Sequence, residues 1–346
     1  MIGSATSNGR VSITGIGSRA PERVMTNDEL AQMVDTSDEW IMERTGIRER
    51  RVAAPDEAMS DLALPASLAA LEQAGVKGSD LELIVVATVT PDMLFPSTGA
   101  ILADRLGAKD AAAYDLSAGC TGFVYAVVQA HAMVASGLAD HALVVGGDVL
   151  SRVVDWEDRS TCVLFGDGAG AVVLERVPEG GFLGFELGAD GSGGQELYIP
   201  AGGSRQPASA ESVAARQHFA KMNGREVFKF ASRVLVDSAE KVLHECNISV
   251  GDVDVYVPHQ ANVRIIEHAR KKLGIPEDRT VVNVDRFGNT SSGSIPLALS
   301  DAEADGRLVP GEMVIMFAGS RVHGREHIRA GEHISIVTFG FQPLGT

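Results

Sequence analysis

The chain has 346 residues, 45% hydrophobic and 22% charged, a globular composition with room for two domains or one large pseudo-duplicated one. A formal net charge of −16 excludes a broad phosphate-binding surface, which needs clustered Lys and Arg, so no nucleic-acid partner is expected. Three cysteines without paired spacing argue against a disulfide framework and a zinc site, and no apolar run is long enough to span a bilayer, so the expectation is a cytoplasmic protein with no metal, no membrane contact and no targeting segment.

In chain order the pattern predicts a strand at 11–17, a helix near 61–75, a strand at 81–90, a helix near 97–106, a strand at 111–117, a helix from about 120 to 137 and a strand at 141–149. A loop-rich stretch follows at 178–220, in which residues 191–209 are rich in Gly, Ser and Pro and predict a surface excursion without a strand. A second series then repeats the order, with a helix at about 224–245, a strand at 253–259, a helix near 262–273, a strand-like run at 280–285, a helix near 293–305 and a strand at 312–317. This organisation implies two similar α/β units, 1–177 and 178–346, packed together.

Three polar residues fall where α/β folds place ligands, at carboxyl ends of strands. Cys120 follows a predicted strand and opens a small-residue helix, where the helix dipole and free N–H groups favour a thiolate. A buried inert thiol is the competing explanation for any free cysteine, and it is the one expected for Cys162 and Cys246. His259 ends the strand at 253–259, and its imidazole can donate or accept a hydrogen bond. Asn289 lies in a Gly, Ser and Thr turn before a helix, and its amide offers donors without charge, which suits a carbonyl oxygen turning into an enolate. Each of the three also reads as a plain loop or cap residue when taken alone. GIGSRA (15–20) opens like a dinucleotide fingerprint, but Pro21 follows and the acidic second strand is absent. GDGAGAVVL (166–174) lacks that spacing, and its glycines suit a tight turn before a strand.

With TSDEWIMERTGIRERR (36–51), DLSAGCTGFVYA (115–126), DRSTCVLFGDGAGAVVLE (158–175), VPHQANVRII (257–266) and DRFGNTSSGSIPLAL (285–299), the chain resembles the β-ketoacyl-acyl carrier protein synthase III family from about residue 11 to about 317. The resemblance implies a thiolase-like α/β fold, with two pseudo-duplicated halves in a layered α-β-α-β-α core, and a catalytic triad of Cys120, His259 and Asn289. It implies coenzyme A contacts at Trp40, Arg44 and Arg159, and a carrier-docking patch at Lys229, Arg264, Lys271 and Lys272. It also implies a homodimer in which Phe95 caps the partner's acyl pocket, with acyl-CoA and malonyl-acyl carrier protein as substrates and no cofactor. The reaction implied is a decarboxylative condensation through an acyl-cysteine that initiates fatty acid synthesis.

One departure falls at the C-terminal end. Where the family has a Gly-rich turn and a final strand, this chain reads MFAGSRVHGREHIRAGEHISIVTFGFQPLGT. Gly319 stands at the distance expected for a backbone N–H completing the oxyanion hole with that of Cys120, and residues 333–341 could serve as the last strand. The alternative is an unrelated tail after about 317 that impairs this edge of the site. Two other functions compete. A papain-like hydrolase also orders Cys, His and Asn, but here a full α/β unit precedes the cysteine and its local signature is missing. A repurposed or impaired homologue, an acyltransferase to oxygen or nitrogen or a polyketide starter enzyme, rests on the tail.

Overall fold

The run LIVVA at 83–87 is fully buried on both faces, an environment that arises where a sheet is covered by helices on each side. The computed structural model, which describes residues 2–4, 10–189, 191, 194–309, 311–318 and 335–340, contains two such sheets. Its strands are β1 (Ile2–Ser4), β2 (Val11–Arg19), β3 (Val24–Thr26), β4 (Glu49–Arg51), β5 (Leu83–Ala87), β6 (Ala112–Leu116), β7 (His141–Asp148), β8 (Gly168–Arg176), β9 (Gly181–Glu186), β10 (Leu197–Tyr198), β11 (Lys221–Met222), β12 (Val255–Pro258), β13 (Met313–Ala318) and β14 (Ser335–Gly340). The helices are α1 (Asn27–Leu30), α2 (Asp38–Thr45), α3 (Met59–Ala74), α4 (Thr98–Leu106), α5 (Gly122–Ala135), α6 (Arg159–Cys162), α7 (Ala210–Ala214), α8 (Gly224–Glu245), α9 (Val263–Leu273), α10 (Val284–Phe287) and α11 (Ser294–Ala304).

The first sheet has the order β2-β8-β7-β5-β6, with β5, β6 and β7 parallel and β8 antiparallel to both neighbours. The second has the order β1-β9-β14-β13-β12, with β12 and β13 parallel and β14 antiparallel to β13 and β9. Side-chain alternation sorts the layers. Leu83, Val85 and Ala87 of β5 pack with α5, α11 and Val255, Val257, Val314 and Met316 of the second sheet, which makes the central layer. Ile84 and Val86 face α3 and α4 on one outer side. Tyr256, Ile315 and Phe317 face α8 and α9 on the other. The result is an α-β-α-β-α stack with α5 and α11 at its centre.

The predicted strands and helices of the first unit fall on β2, α3, β5, α4, β6, α5 and β7, and those of the second on α8, β12, α9, α11 and β13. Strands β9 and β1 are outside the sequence expectation, β9 because its GFLGFE run sits in a glycine-rich stretch that reads as loop. Within the expected excursion, Leu197 and Tyr198 do form a short strand against Met222 and Lys221, which corrects that expectation. Ser335–Gly340 is β14, between β13 and β9.

The run 280–285 is not a regular strand. Thr280 makes one parallel bridge to Tyr256, after which the buried Gln260 side chain replaces the ladder. Its amide donates to the carbonyls of Pro258 and Val281 at 2.7 and 3.0 Å, and its oxygen accepts from the N–H groups of Asn283 and Val284 at 2.9 and 3.3 Å. Each buried backbone group left unpaired costs about 1–3 kcal/mol. Gln260→Ala is therefore expected to lower stability by roughly 3 kcal/mol or more, measured as a lower urea midpoint, whereas a loss below about 1 kcal/mol would mean that other groups satisfy this backbone.

Candidate active site

Both central helices begin at the same place between the sheets. Cys120 lies in a single 3-10 turn, Gly119–Thr121, that leads straight into α5. The Thr121 hydroxyl closes this turn onto the Ala118 carbonyl at 2.7 Å. Asn289 precedes a second 3-10 turn, Ser291–Gly293, that leads into α11. Gly146 on β7 lets the two turns meet, since a Cβ there would sit 2.4 Å from the Ser292 carbonyl oxygen and 2.9 Å from the Phe123 ring. His259 follows β12, with its N–H donating to the Phe317 carbonyl at 2.6 Å. Cys120, His259 and Asn289 are 9, 7 and 8% exposed and line one channel with Phe165, Phe228 and Asn262. A second, apolar cavity of about 390 Å³ opens from Cys120 past Leu150, Val153, Val154 and Ile199.

Each polar group of the three is oriented. The Asn289 N–H donates to the Leu164 carbonyl at 2.8 Å, and its own carbonyl accepts from Gly166 at 3.0 Å. Its side-chain oxygen is taken by the Ser291 N–H at 2.9 Å, so the amide N–H₂ is the half left to meet a ligand. Gly288 just before it has φ +65°, and a Cβ there would meet the Leu164 oxygen at 2.9 Å. The His259 Nδ1 is engaged by the Ser294 hydroxyl at 2.5 Å, which leaves Nε2. Burial pushes the imidazole down to about 4, so it is neutral at pH 7.

Burial also pushes the Cys120 thiol up, to about 11, against the nearby Ser291 side chain, which lowers it, and with a further rise from the charge of Asp148. The thiolate preference expected from the helix start is thus outweighed by desolvation in the free protein. Asp148, fully buried at the end of β7, accepts from Thr88, Val89, Thr90 and Ser292. Ser291, Ser294 and Asp148 escaped the sequence reasoning. The two serines stand in a run of small hydroxyl residues that looks like a turn, and only Asp148, a carboxylate ending an apolar strand, carried a signal.

Trp40, Arg44 and Arg159 come together, the guanidinium carbons lying 4.8 and 4.9 Å from the indole centroid. Asn262 ties this cluster to the channel through a 2.9 Å hydrogen bond to the Arg44 carbonyl. Arg264 stacks on Phe228 at 5.5 Å, beside the same channel. Lys229 pairs with Glu226 at 2.7 Å and Lys271 with Glu267 at 3.1 Å, whereas Lys272 has no ion-pair partner among the described residues. Lys271 and Lys272 stand about 10 Å along α9 from Arg264, so the basic residues are not one cluster. Arg270, on the same helix, is occupied by Glu267 and Glu277. Phe95 is 88% exposed and Leu94 91%, and Phe95 lines neither of these two cavities. Gly319 lies outside the described residues. No helix among the described residues is long and apolar enough to cross a membrane.

Residues 114–191 match the 3-oxoacyl-[acyl-carrier-protein (ACP)] synthase III family, and residues 243–324 match its C-terminal part. The chain is 55% identical over 324 residues to the β-ketoacyl-[acyl-carrier-protein] synthase III of Symbiobacterium thermophilum, which covers 93% of this chain and 98% of that one. It is similar to the solved β-ketoacyl-[acyl carrier protein] synthase III of Thermus thermophilus, with a TM-score of 0.86, 44% identity and coverage of 96% and 100%. It is also similar to the priming β-ketosynthase of the R1128 polyketide biosynthetic pathway, with a TM-score of 0.85, 35% identity and coverage of 97% of each chain.

The neutral imidazole has a stability consequence. An unfolded histidine titrates near 6.5, and His259 in the fold titrates near 4. Between these values the unfolded chain binds the extra proton, so stability falls as pH drops from 6.5 to 4, by on the order of 3 kcal/mol for this group. His259→Gln should therefore lose less of its urea resistance between pH 7 and pH 4.5 than the parent protein does, and an equal loss in the two proteins would count against a buried neutral imidazole.

Proposed function

The chain belongs to the β-ketoacyl-[acyl-carrier-protein] synthase III family, and from this we propose how its own residues carry the condensation. The enzyme is an acyltransferase of fatty acid biosynthesis that joins an acyl-CoA primer to malonyl-acyl carrier protein through an acyl-cysteine. The observation that carries the assignment of roles is the convergence of a buried thiol, a neutral imidazole and a fixed carboxamide on one channel.

Cys120 attacks the primer thioester, its own N–H and a second donor near Gly319 hold the tetrahedral oxyanion, and coenzyme A leaves as the thiol. The acyl chain occupies the apolar cavity of about 390 Å³. Malonyl thioester then enters by the channel, with its carbonyl oxygen between His259 Nε2–H and the Asn289 amide. That tautomer has the Ser294 hydroxyl donating to Nδ1. Two neutral donors stabilise an enolate without protonating it, so loss of carbon dioxide leaves a carbanion that attacks the acyl-Cys120 carbonyl. The carbon-carbon bond forms, the sulfur departs, and the β-ketoacyl product leaves on the carrier.

Arg44, Trp40 and Arg159 give a cationic stacking surface for the coenzyme A nucleotide, consistent with their grouping beside the channel. Arg264 and Lys229, with Lys271 and Lys272 farther along α9, give the acidic carrier a basic approach. The exposed pair Leu94 and Phe95 suits a homodimer in which Phe95 reaches the partner's acyl cavity, and a sequence with no paired cysteine spacing suits a cytoplasmic enzyme. The halves 1–177 and 178–346 then supply the nucleophile and the His/Asn pair respectively. A polyketide starter enzyme is the second reading, favoured by the likeness to the R1128 priming synthase.

Incubation with acyl-CoA should give an acyl adduct by intact mass that Cys120→Ala lacks. His259→Ala and Asn289→Ala should keep the adduct while decarboxylating malonyl-acyl carrier protein about 100-fold or more slowly, as expected for loss of one oxyanion donor. Normal decarboxylation by either variant would refute this division of roles. Reversing charge at Arg264 and Lys272, the two basic side chains here without an acidic partner among the described residues, should slow use of the carrier substrate at low salt and leave acylation by acyl-CoA unchanged. Equal loss with both substrates would assign the patch to coenzyme A instead.

A further inference from the structure

Arg216, Asn247 and Ser291 are the described non-glycine residues with positive φ. Asparagine adopts that conformation readily and arginine does not. Arg216, at φ +54°, follows the short helix α7, where its own N–H closes onto the Val213 carbonyl at 2.9 Å and the Gln217 N–H onto that of Ser212 at 3.0 Å. Helices that end in this way usually carry glycine there, since a side chain in the left-handed region persists only where its surroundings hold it. What holds this one is Asp155, 5% exposed, whose carboxylate accepts from Arg216 Nε at 3.2 Å and from Arg216 Nη2, and lies 3.5 Å from Lys221 Nζ. The Phe219 ring lies 5.0 Å from the guanidinium carbon.

The place of this ion pair in the fold gives it a task. Residues 196–223 form a loop closed at its base by β10 and β11 and by the Asn223 N–H on the Glu196 carbonyl at 2.7 Å. Leu197, Tyr198, Ile199 and Ala220 of this loop make one wall of the apolar cavity beside Cys120, and Leu150, Val153 and Val154 make another. Among the described residues, every hydrogen bond from 197–222 to chain outside 196–223 runs to that second wall or its continuation. The Ala220 N–H donates to the Val153 carbonyl at 2.8 Å, Arg216 and Lys221 reach Asp155, and Arg216 also reaches Glu157 at 3.2 Å. Asp155, one residue beyond Val154, therefore joins the two walls. We propose that Asp155 is a positioning residue that sets primer selectivity, clamping the walls together through Arg216 and Lys221 so that the width of the acyl cavity is fixed. An arginine stands where glycine would fit without strain because its side chain closes the clamp.

This inference rests on the acyl chain occupying that cavity, as proposed above. The parent protein, Asp155→Asn and Arg216→Gly are each offered an equimolar mixture of acetyl-CoA and octanoyl-CoA, and the ratio of the two acyl adducts is read by intact mass. The ratio does not depend on the fraction of folded enzyme, so a general loss of stability leaves it unmoved. Glycine at 216 also relieves the positive φ and keeps the turn. A clamp can bias selectivity by no more than its own free energy, so both variants should move the ratio toward the octanoyl adduct by about fivefold, near the upper limit for a partly exposed ion pair. Amide hydrogen exchange over 197–222 should quicken in both. An unchanged adduct ratio in either variant overturns the proposal, even where exchange quickens. If the parent forms no adduct with either thioester, the condensation reading fails, and exchange then decides the clamp: quickened in both variants it is retained, unchanged it falls.

Discussion

One carboxylate ties the two halves of the site together. Asp148 ends β7 in the first sheet, and its oxygens collect the 88–90 segment that ends β5 together with the N–H and hydroxyl of Ser292 at the start of α11. A fully buried charge is stable only when it is hydrogen-bonded throughout, so these segments cannot separate without exposing it. The turn bearing Asn289 therefore has a fixed position relative to the turn bearing Cys120, although the residues lie far apart in sequence.

Burial of this centre acts on the chemistry in opposite directions. It removes the charge of His259, which suits a donor to an enolate, and it also disfavours the thiolate of Cys120. Local geometry offsets only part of that cost. Ser294 takes one nitrogen of the imidazole, and the sulfur lies in the turn that opens α5. Arg50, buried beneath the same loops, shows the compromise without chemistry: it is pushed down to about 10 and donates to the carbonyls of Met25 and Val163 and to Asn27.

The sequence makes the elements nearest the site the clearest ones. Runs such as 83–87 and 141–148 are apolar on both faces, so they announce buried strands, and Cys120, His259 and Asn289 stand out as polar residues where such runs stop. What was illegible depends on partners far away in the chain. Gln260 replaces a ladder at 280–284, so a strand-like run loses its strand. Leu197–Tyr198 becomes a strand because Lys221–Met222 is beside it. A positive φ at a serine, or an arginine such as Arg270 folded onto two carboxylates, has no signature in residue type.

The two sheets are completed at different times during synthesis. The first has all its strands once β8 is made, so its ladder can form while the rest of the chain is still being made, as N-terminal units commonly do, although its inner face still lacks α11. The second cannot, because its middle strand, β14, is the last in chain order and lies between β9 and β13. Until β14 arrives, β9 and β13 present open edges to any passing strand. The nascent chain thus carries one sheet complete in its strands and another prone to mispairing until β14 joins it, which is the interval in which a folding chaperone would have its work.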